Sequence, residues 1–300
     1  MDRGDARGLR HDARSRVPTR LCRGEDRAAP SKPLTNLRLT VEYDGTDFCG
    51  FQWQPESRTV AGVLTDVLKQ LFGEPVKVTG AGRTDSGVHA SGQVVSFKTE
   101  ASFPFERFLA ALRGSLPPDC SARDVMLTDD NFSARFSARE RTYVYVILNR
   151  PQPSALVARY AYHQPQRLDL PAMRTAAAAL VGERDFRSFC AAPPDEGTVR
   201  TLRRLEIESR GELIRIEVAA GGFLHHMVRT IVGTLIECGT GRREPAEMSA
   251  ILAACDRAAA GGTAPAQGLY LAGVRYPDGY DSFAEPPLLG INAVEGLPFR

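Results

Sequence analysis

Residues 80–90, Gly-Ala-Gly-Arg-Thr-Asp-Ser-Gly-Val-His-Ala, constrain the fold of this chain more than any other segment. Three glycines lie in this stretch, and glycine permits positive φ angles and close backbone approaches that other residues resist. Val76 and Val78 alternate with polar residues before it, and residues 93–99 alternate after it, a pattern typical of strands. The sequence therefore predicts two strands joined by a glycine-rich turn.

The same turn carries Arg83 and Asp85, two residues apart. Aspartate is an ordinary turn residue that caps its own backbone, so a plain structural turn is one interpretation. The other is chemical. If the two side chains converge, the permanently charged guanidinium keeps the carboxylate ionised in a site that excludes water, and such a carboxylate is a competent nucleophile or base. Asp85 is therefore the candidate catalytic residue.

Both halves of the chain alternate strands with helices. In the first half, strands are predicted at residues 37–43, 93–99 and 122–127, and helices at 60–72 and 105–115. In the second half, strands are predicted at 142–149 and 270–275, a hairpin at 202–209 and 213–219, and helices at 171–181, 224–237 and 245–254. Two strand-rich halves with interspersed helices indicate an α+β fold of two ferredoxin-like (RRM-like) units, residues 34–135 and 136–280.

The ends of the chain differ from this pattern. Residues 1–33 are rich in arginine, contain several acids and show no apolar periodicity, so we expect a disordered extension. A mitochondrial presequence is the rival interpretation, but such presequences are poor in acids and amphipathic. Residues 281–300 contain three prolines, and we interpret them as a C-terminal tail.

Charge is unevenly distributed. The net charge is +2, yet residues 1–34 carry nine basic and five acidic side chains, whereas residues 35–300 carry 29 basic and 31 acidic ones. The body of the protein cannot be uniformly basic, so any surface for a nucleic acid must be a local cleft. Most of the cations are arginines, which form bidentate contacts with phosphate.

Cysteine usage and hydropathy bound the compartment. The six cysteines are scattered, without a C-x-x-C pair, so zinc ribbons and disulfide frameworks are not supported. No apolar run approaches the roughly 18 residues that a membrane-spanning helix needs. The sequence therefore predicts a cytoplasmic protein with no membrane association.

Residues 80–90 closely resemble the catalytic-aspartate motif of the tRNA pseudouridine synthase A family. Four further blocks resemble that family in the same order, so that the resemblance extends over residues 34–280. They are residues 41–54 (Val-Glu-Tyr-Asp-Gly-Thr through Phe-Cys-Gly-Phe-Gln-Trp-Gln), 136–145, 223–229 (Phe-Leu-His-His-Met-Val-Arg) and 264–271.

The resemblance implies a function and a site. It implies isomerisation of uridine to pseudouridine at positions 38 to 40 of the tRNA anticodon stem-loop, by a homodimer, without cofactor or metal. It implies that Asp85 is catalytic, that Tyr143 packs on the target base, that Arg83 and Arg229 are active-site arginines and that Leu269 lines the pocket. It also implies that the two units share an antiparallel sheet, with the catalytic cleft between them.

Two other functions are weighed against this one. Gly80-x-Gly82 after a strand could begin a dinucleotide-binding turn, but that motif needs an immediate helix, and residues 93–97 alternate as a strand does. A noncatalytic tRNA-binding protein would not need Asp85. His225 and His226 are adjacent on a predicted helix, about 100° apart, so we do not expect them to face one metal ion.

Overall fold

A single mixed sheet forms the centre of the fold. The computed structural model describes residues 34–193, 197–277 and 279–290, which belong to one unit. Within these ranges the sheet has eleven strands, and eight of them follow one another in the order β4-β1-β3-β10-β5-β9-β8-β7. The strands are β1 (Thr35–Tyr43), β2 (Thr79–Gly80), β3 (His89–Thr99), β4 (Cys120–Leu127), β5 (Glu140–Asn149), β6 (Tyr162–Gln164), β7 (Gly182–Asp185), β8 (Val199–Arg210), β9 (Leu213–Ala220), β10 (Leu269–Arg275) and β11 (Ser282–Phe283).

Six helices accompany the sheet in the described ranges. They are α1 (Val60–Phe72), α2 (Phe105–Ser115), α3 (Leu170–Ala178), α4 (Met227–Gly239), α5 (Glu247–Ala254) and the short α6 (Pro287–Gly290). Local signals explain the bounds of α1. The Thr59 side chain accepts a hydrogen bond from the Gly62 amide at its start, and Gly73 ends it in the left-handed conformation, with φ of 72°.

The two halves of the chain meet where β10 lies between β3 and β5. β10 pairs with β5 antiparallel but with β3 parallel, through Tyr270 and Leu271 opposite His89 and Ala90. The expectation of a wholly antiparallel sheet is therefore wrong at this junction. Parallel neighbours require a long crossover connection, and nearly the whole second half of the chain provides it here. The α+β class is confirmed, while the division into two ferredoxin-like units stays a prediction.

The alternating side chains of β5 separate two apolar layers. Tyr143, Tyr145 and Ile147 point to the face that helices α1 to α5 cover, whereas Val144 and Val146 point to the opposite face. The second face is covered in part by Leu289 of α6, which is buried. Tyr143 and Leu269, two of the candidate site residues, belong to the helix-covered face, and their strands fix their positions.

Most predicted elements are confirmed, with five corrections. The strand predicted around Val76 and Val78 is only the two-residue β2, Thr79–Gly80. α3 ends at Ala178 rather than at residue 181. β3 begins at His89 rather than at residue 93, so the motif runs directly into a strand. α4 begins at Met227 rather than at residue 224. Residues 281–290 are not an appendage, because Phe283 pairs with Gly273 of β10.

Two further expectations concern the ends of the chain and membrane association. The expected disorder of residues 1–33 and the remainder of the predicted tail, residues 291–300, lie outside the described ranges. In the described part of the chain, every helix is too short or too polar to cross a membrane.

Candidate active site

Asp85 lies in the loop between β2 and β3 and is paired by an arginine from the other half of the chain. Arg229 Nη1 donates to Asp85 Oδ2 over 3.1 Å, and its Nε donates to the carbonyl of Ala264 over 2.8 Å. The second contact fixes the guanidinium, whose side chain is only 15% exposed, so it meets the carboxylate in a set orientation. Asp85 itself is 27% exposed and open to a substrate.

The backbone around Asp85 is held from both sides. Gln93 on β3 donates from Nε2 to the carbonyl of Gly82 over 2.7 Å and accepts from the Gly82 amide over 3.3 Å. The hydroxyls of Tyr43 and Thr84 are hydrogen-bonded at 2.9 Å. Burial places the Gln93 amide where water cannot compete, so the loop that presents Asp85 is preorganised rather than free to adjust.

A second loop packs against the same segment through a glycine. Gly50 has a φ of 85°, and a Cβ at this position would lie 2.7 Å from the carbonyl oxygen of Thr84. The Phe51 amide donates to that oxygen over 3.0 Å. Gly50 is therefore required twice, for its left-handed backbone and for the close approach of the two chain segments.

Arg83 does not pair with Asp85. Its side chain is exposed, and among the described residues no carboxylate lies within ion-pair distance of it. The expected convergence of the Arg83 and Asp85 side chains is therefore absent, and Arg229 of α4 contacts the carboxylate instead. A role for Arg83 in binding the substrate stays a prediction, and its exposed charge suits contact with a phosphate.

Tyr143 lies beside this loop, on the helix-covered face of β5. Its hydroxyl donates to the carbonyl of Arg83 over 3.4 Å, and its ring meets that of Phe223 edge to face, with centroids 5.0 Å apart. Burial, reinforced by the nearby Asp85 charge, raises the pKa of the Tyr143 hydroxyl. The phenol therefore stays protonated at neutral pH and can donate a proton or a hydrogen bond.

Leu269 is buried at the start of β10, on the same face as Tyr143. The leucine two residues further on comes closer to the catalytic loop, because a Cβ at Gly82 would lie 3.4 Å from Leu271 Cδ2. The sequence motif indicated Leu269 alone. Leu271 was missed, and the alternation of β10, which puts residues 269 and 271 on one face, was the signal that could have found it.

The two histidines of the α4 segment converge on Asp85. His226 Nε2 lies 3.4 Å from Asp85 Oδ2, and His225 Nε2 lies 3.9 Å from Oδ1. The expectation of divergent side chains is wrong because neither histidine is helical. His226 precedes the first turn in the left-handed conformation, with a φ of 60°, and the centres of the two imidazole rings lie 3.9 Å apart.

Ligand atoms of Asp85, His225 and His226 all lie within 4.8 Å of one another, close enough for a metal ion. Arg229 already contacts the Asp85 oxygen that His226 approaches, and a guanidinium there opposes a second cation. Burial lowers the pKa of His226, although the Asp85 charge acts in the opposite direction. The expected absence of a metal stays a prediction.

The arrangement is suited to chemistry that needs a charged carboxylate. A half-open aspartate faces a fixed guanidinium, imidazoles lie within 4 Å, and a protonated phenol stands beside the same loop. Such a carboxylate can attack an electrophilic carbon or remove a proton.

Comparison with known proteins identifies the family. The family model described as tRNA pseudouridine synthase matches residues 39–137 and 176–277. The tRNA pseudouridine synthase A of Caldicellulosiruptor bescii is 42% identical over 81% of this chain and 100% of its own length, and that of Brevibacillus brevis is 46% identical over the same shares. Among solved structures, a chain in the crystal structure of the archaeal box H/ACA sRNP Nop10-Cbf5 complex aligns with a TM-score of 0.30 and 14% identity, over 67% of this chain and 44% of that one. Matches over two thirds of its sequence and along the full length of these relatives place the chain in the tRNA pseudouridine synthase family.

Proposed function

We propose that this tRNA uridine isomerase acts at positions 38 to 40 of the anticodon stem-loop, with Asp85 as its reactive carboxylate. The observation that carries the proposal is the contact between Asp85 and Arg229, which belong to two separate blocks of the family resemblance. The specific positions rest on that resemblance alone. An enzyme that modifies neighbouring positions in tRNAs of different sequence must recognise the shape and backbone of the RNA rather than its base edges.

The reaction is an isomerisation, so no atoms are gained or lost overall. The bond from C1′ of the ribose to N1 of uracil breaks, the freed uracil rotates, and C5 bonds to the same C1′. The proton on C5 leaves and N1 gains one, so no redox partner or energy source is required. An ionised Asp85 can assist by attacking C1′, by attacking C6 or by removing a ribose proton, and the proposal covers all three routes.

The other site residues have separate roles in this proposal. The target base leaves its stack and packs on the Tyr143 ring, while Leu269 contributes apolar surface. Arg229 pairs with the Asp85 carboxylate and orients it. Arg83, exposed and two residues from Asp85, binds a phosphate of the target strand. The raised pKa of Tyr143 supports a role in donating a proton rather than in accepting one.

Two further parts of the proposal concern the assembly and the compartment. A body of net charge −2 offers no broad basic surface, and a twofold dimer doubles the basic patch along an interface cleft, so we propose a homodimer in which one tRNA contacts both subunits. Sedimentation with and without tRNA tests this, and a monomer with full turnover would contradict it. The described cysteines are free thiols, which supports a reducing cytoplasm.

Release of tritium from C5-labelled uridine in tRNA tests the activity directly. We expect the wild-type protein to release tritium and to form pseudouridine only at positions 38 to 40 when the product is mapped by sequencing. Asp85→Asn should abolish release, and tRNA affinity measured by filter binding should change by no more than a few fold, because the loss of one negative charge does not weaken binding to a polyanion.

Asp66→Asn is the matched control, since Asp66 is exposed on α1. It should release tritium at the wild-type rate. An Asp85→Asn protein with more than trace activity would contradict the assignment of the carboxylate. Pseudouridine at other positions would contradict the proposed specificity and leave the chemistry intact.

A further inference from the structure

Two large aromatic side chains are exposed on loops that hold the catalytic segment. Trp53 is 59% exposed and Phe136 is 79% exposed. Single exposed apolar residues are ordinary on protein surfaces, so the exposure of these two rings gains meaning from their place, on loops bonded to the segment that carries Asp85. We propose that Trp53 and Phe136 are stacking platforms for two nucleotides of the tRNA that lie near the target uridine. The inference rests on the proposed function.

Trp53 is attached to the Asp85 end of the catalytic segment. It follows Phe51 by two residues, and the Phe51 amide is bonded to the carbonyl of Thr84. The Ser86 hydroxyl donates to the carbonyl of Phe48 in the same loop over 3.2 Å. These contacts fix the loop against the segment that carries Asp85, so the exposed indole is presented at a low entropic cost of binding.

Phe136 is attached to the other end of the segment. Arg141 reaches both elements, because its Nε donates to the carbonyl of Ala81 over 3.1 Å and its Nη2 donates to the carbonyl of Arg135 over 2.6 Å. The Arg135 guanidinium lies 5.2 Å from the centre of the Phe136 ring. Arg141 therefore links the Phe136 loop to Ala81, while the loop that carries Trp53 is bonded to Thr84 and Ser86.

Exposed arginines on the same chain segments favour a nucleic acid as the occupant. Arg83, Arg135 and Arg139 are exposed, and no carboxylate among the described residues forms an ion pair with any of the three. Unpaired arginines beside exposed rings match a strand whose phosphates alternate with flat bases. A protein partner with an apolar patch would leave these three charges without compensation.

Stacking also fits the specificity that the proposed function requires. Every base has a π-face, so an aromatic ring holds a neighbouring nucleotide without selecting its identity. An enzyme that modifies three adjacent positions meets different neighbours each time. Two platforms on loops bonded to the catalytic segment can hold nucleotides near the extruded uridine without reading sequence.

Fluorescence gives a direct test, because Trp53 is the only tryptophan in the chain. The Asp85→Asn protein is titrated with an unmodified tRNA transcript that carries uridine at position 39. We expect tryptophan emission to be quenched, with a midpoint equal to the dissociation constant from filter binding. Binding of the tRNA with unchanged emission would overturn the assignment of Trp53.

Affinity measurements extend the test to both rings. Trp53→Ala and Phe136→Ala should each raise the tRNA dissociation constant roughly 5- to 100-fold. Their dependence on salt should stay as in the wild type, because no phosphate contact is removed. Trp53→Phe should stay within about threefold of the wild type, since it keeps a ring.

Phe283→Ala is the matched control, because Phe283 is a 55% exposed ring on β11, a strand that pairs with β10. It should bind as the wild type does. Equal effects of all three alanine variants, or none from Trp53→Ala and Phe136→Ala, would overturn the inference. Quenching without tritium release by the wild-type protein would contradict the proposed function and would support the stacking contact.

Discussion

Arg229 Nη1 lies 3.1 Å from Asp85 Oδ2 although 144 residues separate them in the chain. The contact joins the loop after β2 to helix α4, so it links the two halves of the molecule at the point where the reaction is proposed to occur. The arginine nearest in sequence, Arg83, is exposed instead. The two arginines therefore have different environments and should have separable effects.

Arg229→Gln should lower kcat by about tenfold or more, because a hydrogen bond to a charged group contributes roughly 1.5–3 kcal/mol. Its effect on tRNA affinity should be within about threefold. Arg83→Gln should instead raise the dissociation constant for tRNA and flatten its dependence on salt. Steady-state kinetics and filter binding at two salt concentrations measure both effects, and identical profiles for the two variants would contradict the separation of roles.

Tyr143→Phe should keep the fold and the ring but slow turnover, since only the hydroxyl is lost. Tyr143→Ala should lose stacking as well, and truncation of this buried ring should lower the free energy of unfolding by about 3–5 kcal/mol. Urea denaturation and tritium release separate the two effects. If both variants turned over at nearly the wild-type rate, Tyr143 would not face the substrate.

His226→Gly should stabilise the protein while lowering its activity. A non-glycine residue in the left-handed region costs about 1–2 kcal/mol, which glycine relieves at an entropic cost of about 0.5–1 kcal/mol. The imidazole 3.4 Å from Asp85 is removed by the same change. The free energy of unfolding from urea denaturation should therefore rise while kcat/KM falls. A stabilised variant with unchanged kcat/KM would show that the reaction does not use the imidazole.

His89 should make the fold sensitive to acid. Its Nδ1 accepts from the Gly45 amide over 2.9 Å, so Nε2 carries the proton and donates to the carbonyl of Arg159. Burial lowers the pKa of His89, although Asp44 lies 3.2 Å away. Below the pKa of the unfolded chain, the unfolded state therefore binds a proton that the folded state resists. The contribution of His89 to the free energy of unfolding is fully present above about pH 6.5 and is lost as the pH falls below that value.

The loss due to His89 should reach up to about 1.4 kcal/mol per pH unit. His89→Gln cannot titrate, so the difference in unfolding free energy between wild type and variant should shrink from pH 7.5 to pH 5.5. Urea denaturation at both values measures it. A constant difference would show that His89 does not carry the acid sensitivity.

Local patterns in the sequence determined the elements and the reactive segment. The alternation of residues 142–149, the caps of α1 and the turn of the β8–β9 hairpin act between residues a few positions apart, and these elements were predicted close to their observed bounds. The start of α4 was missed because three residues before it are held by tertiary contacts, among them the bond from the Ala191 amide to the carbonyl of His225.

The sequence by itself therefore determined that Asp85 lies in a glycine-rich turn at a strand end, and that the chain resembles enzymes that isomerise uridine in tRNA. Only the tertiary structure decided which groups surround that carboxylate. Arg229 rather than Arg83 contacts it, both histidines approach it, and β10 enters the sheet parallel to β3. These features depend on hydrogen bonds and ion pairs between residues far apart in the chain. Sequence periodicity and motif spacing do not show which of those residues come together.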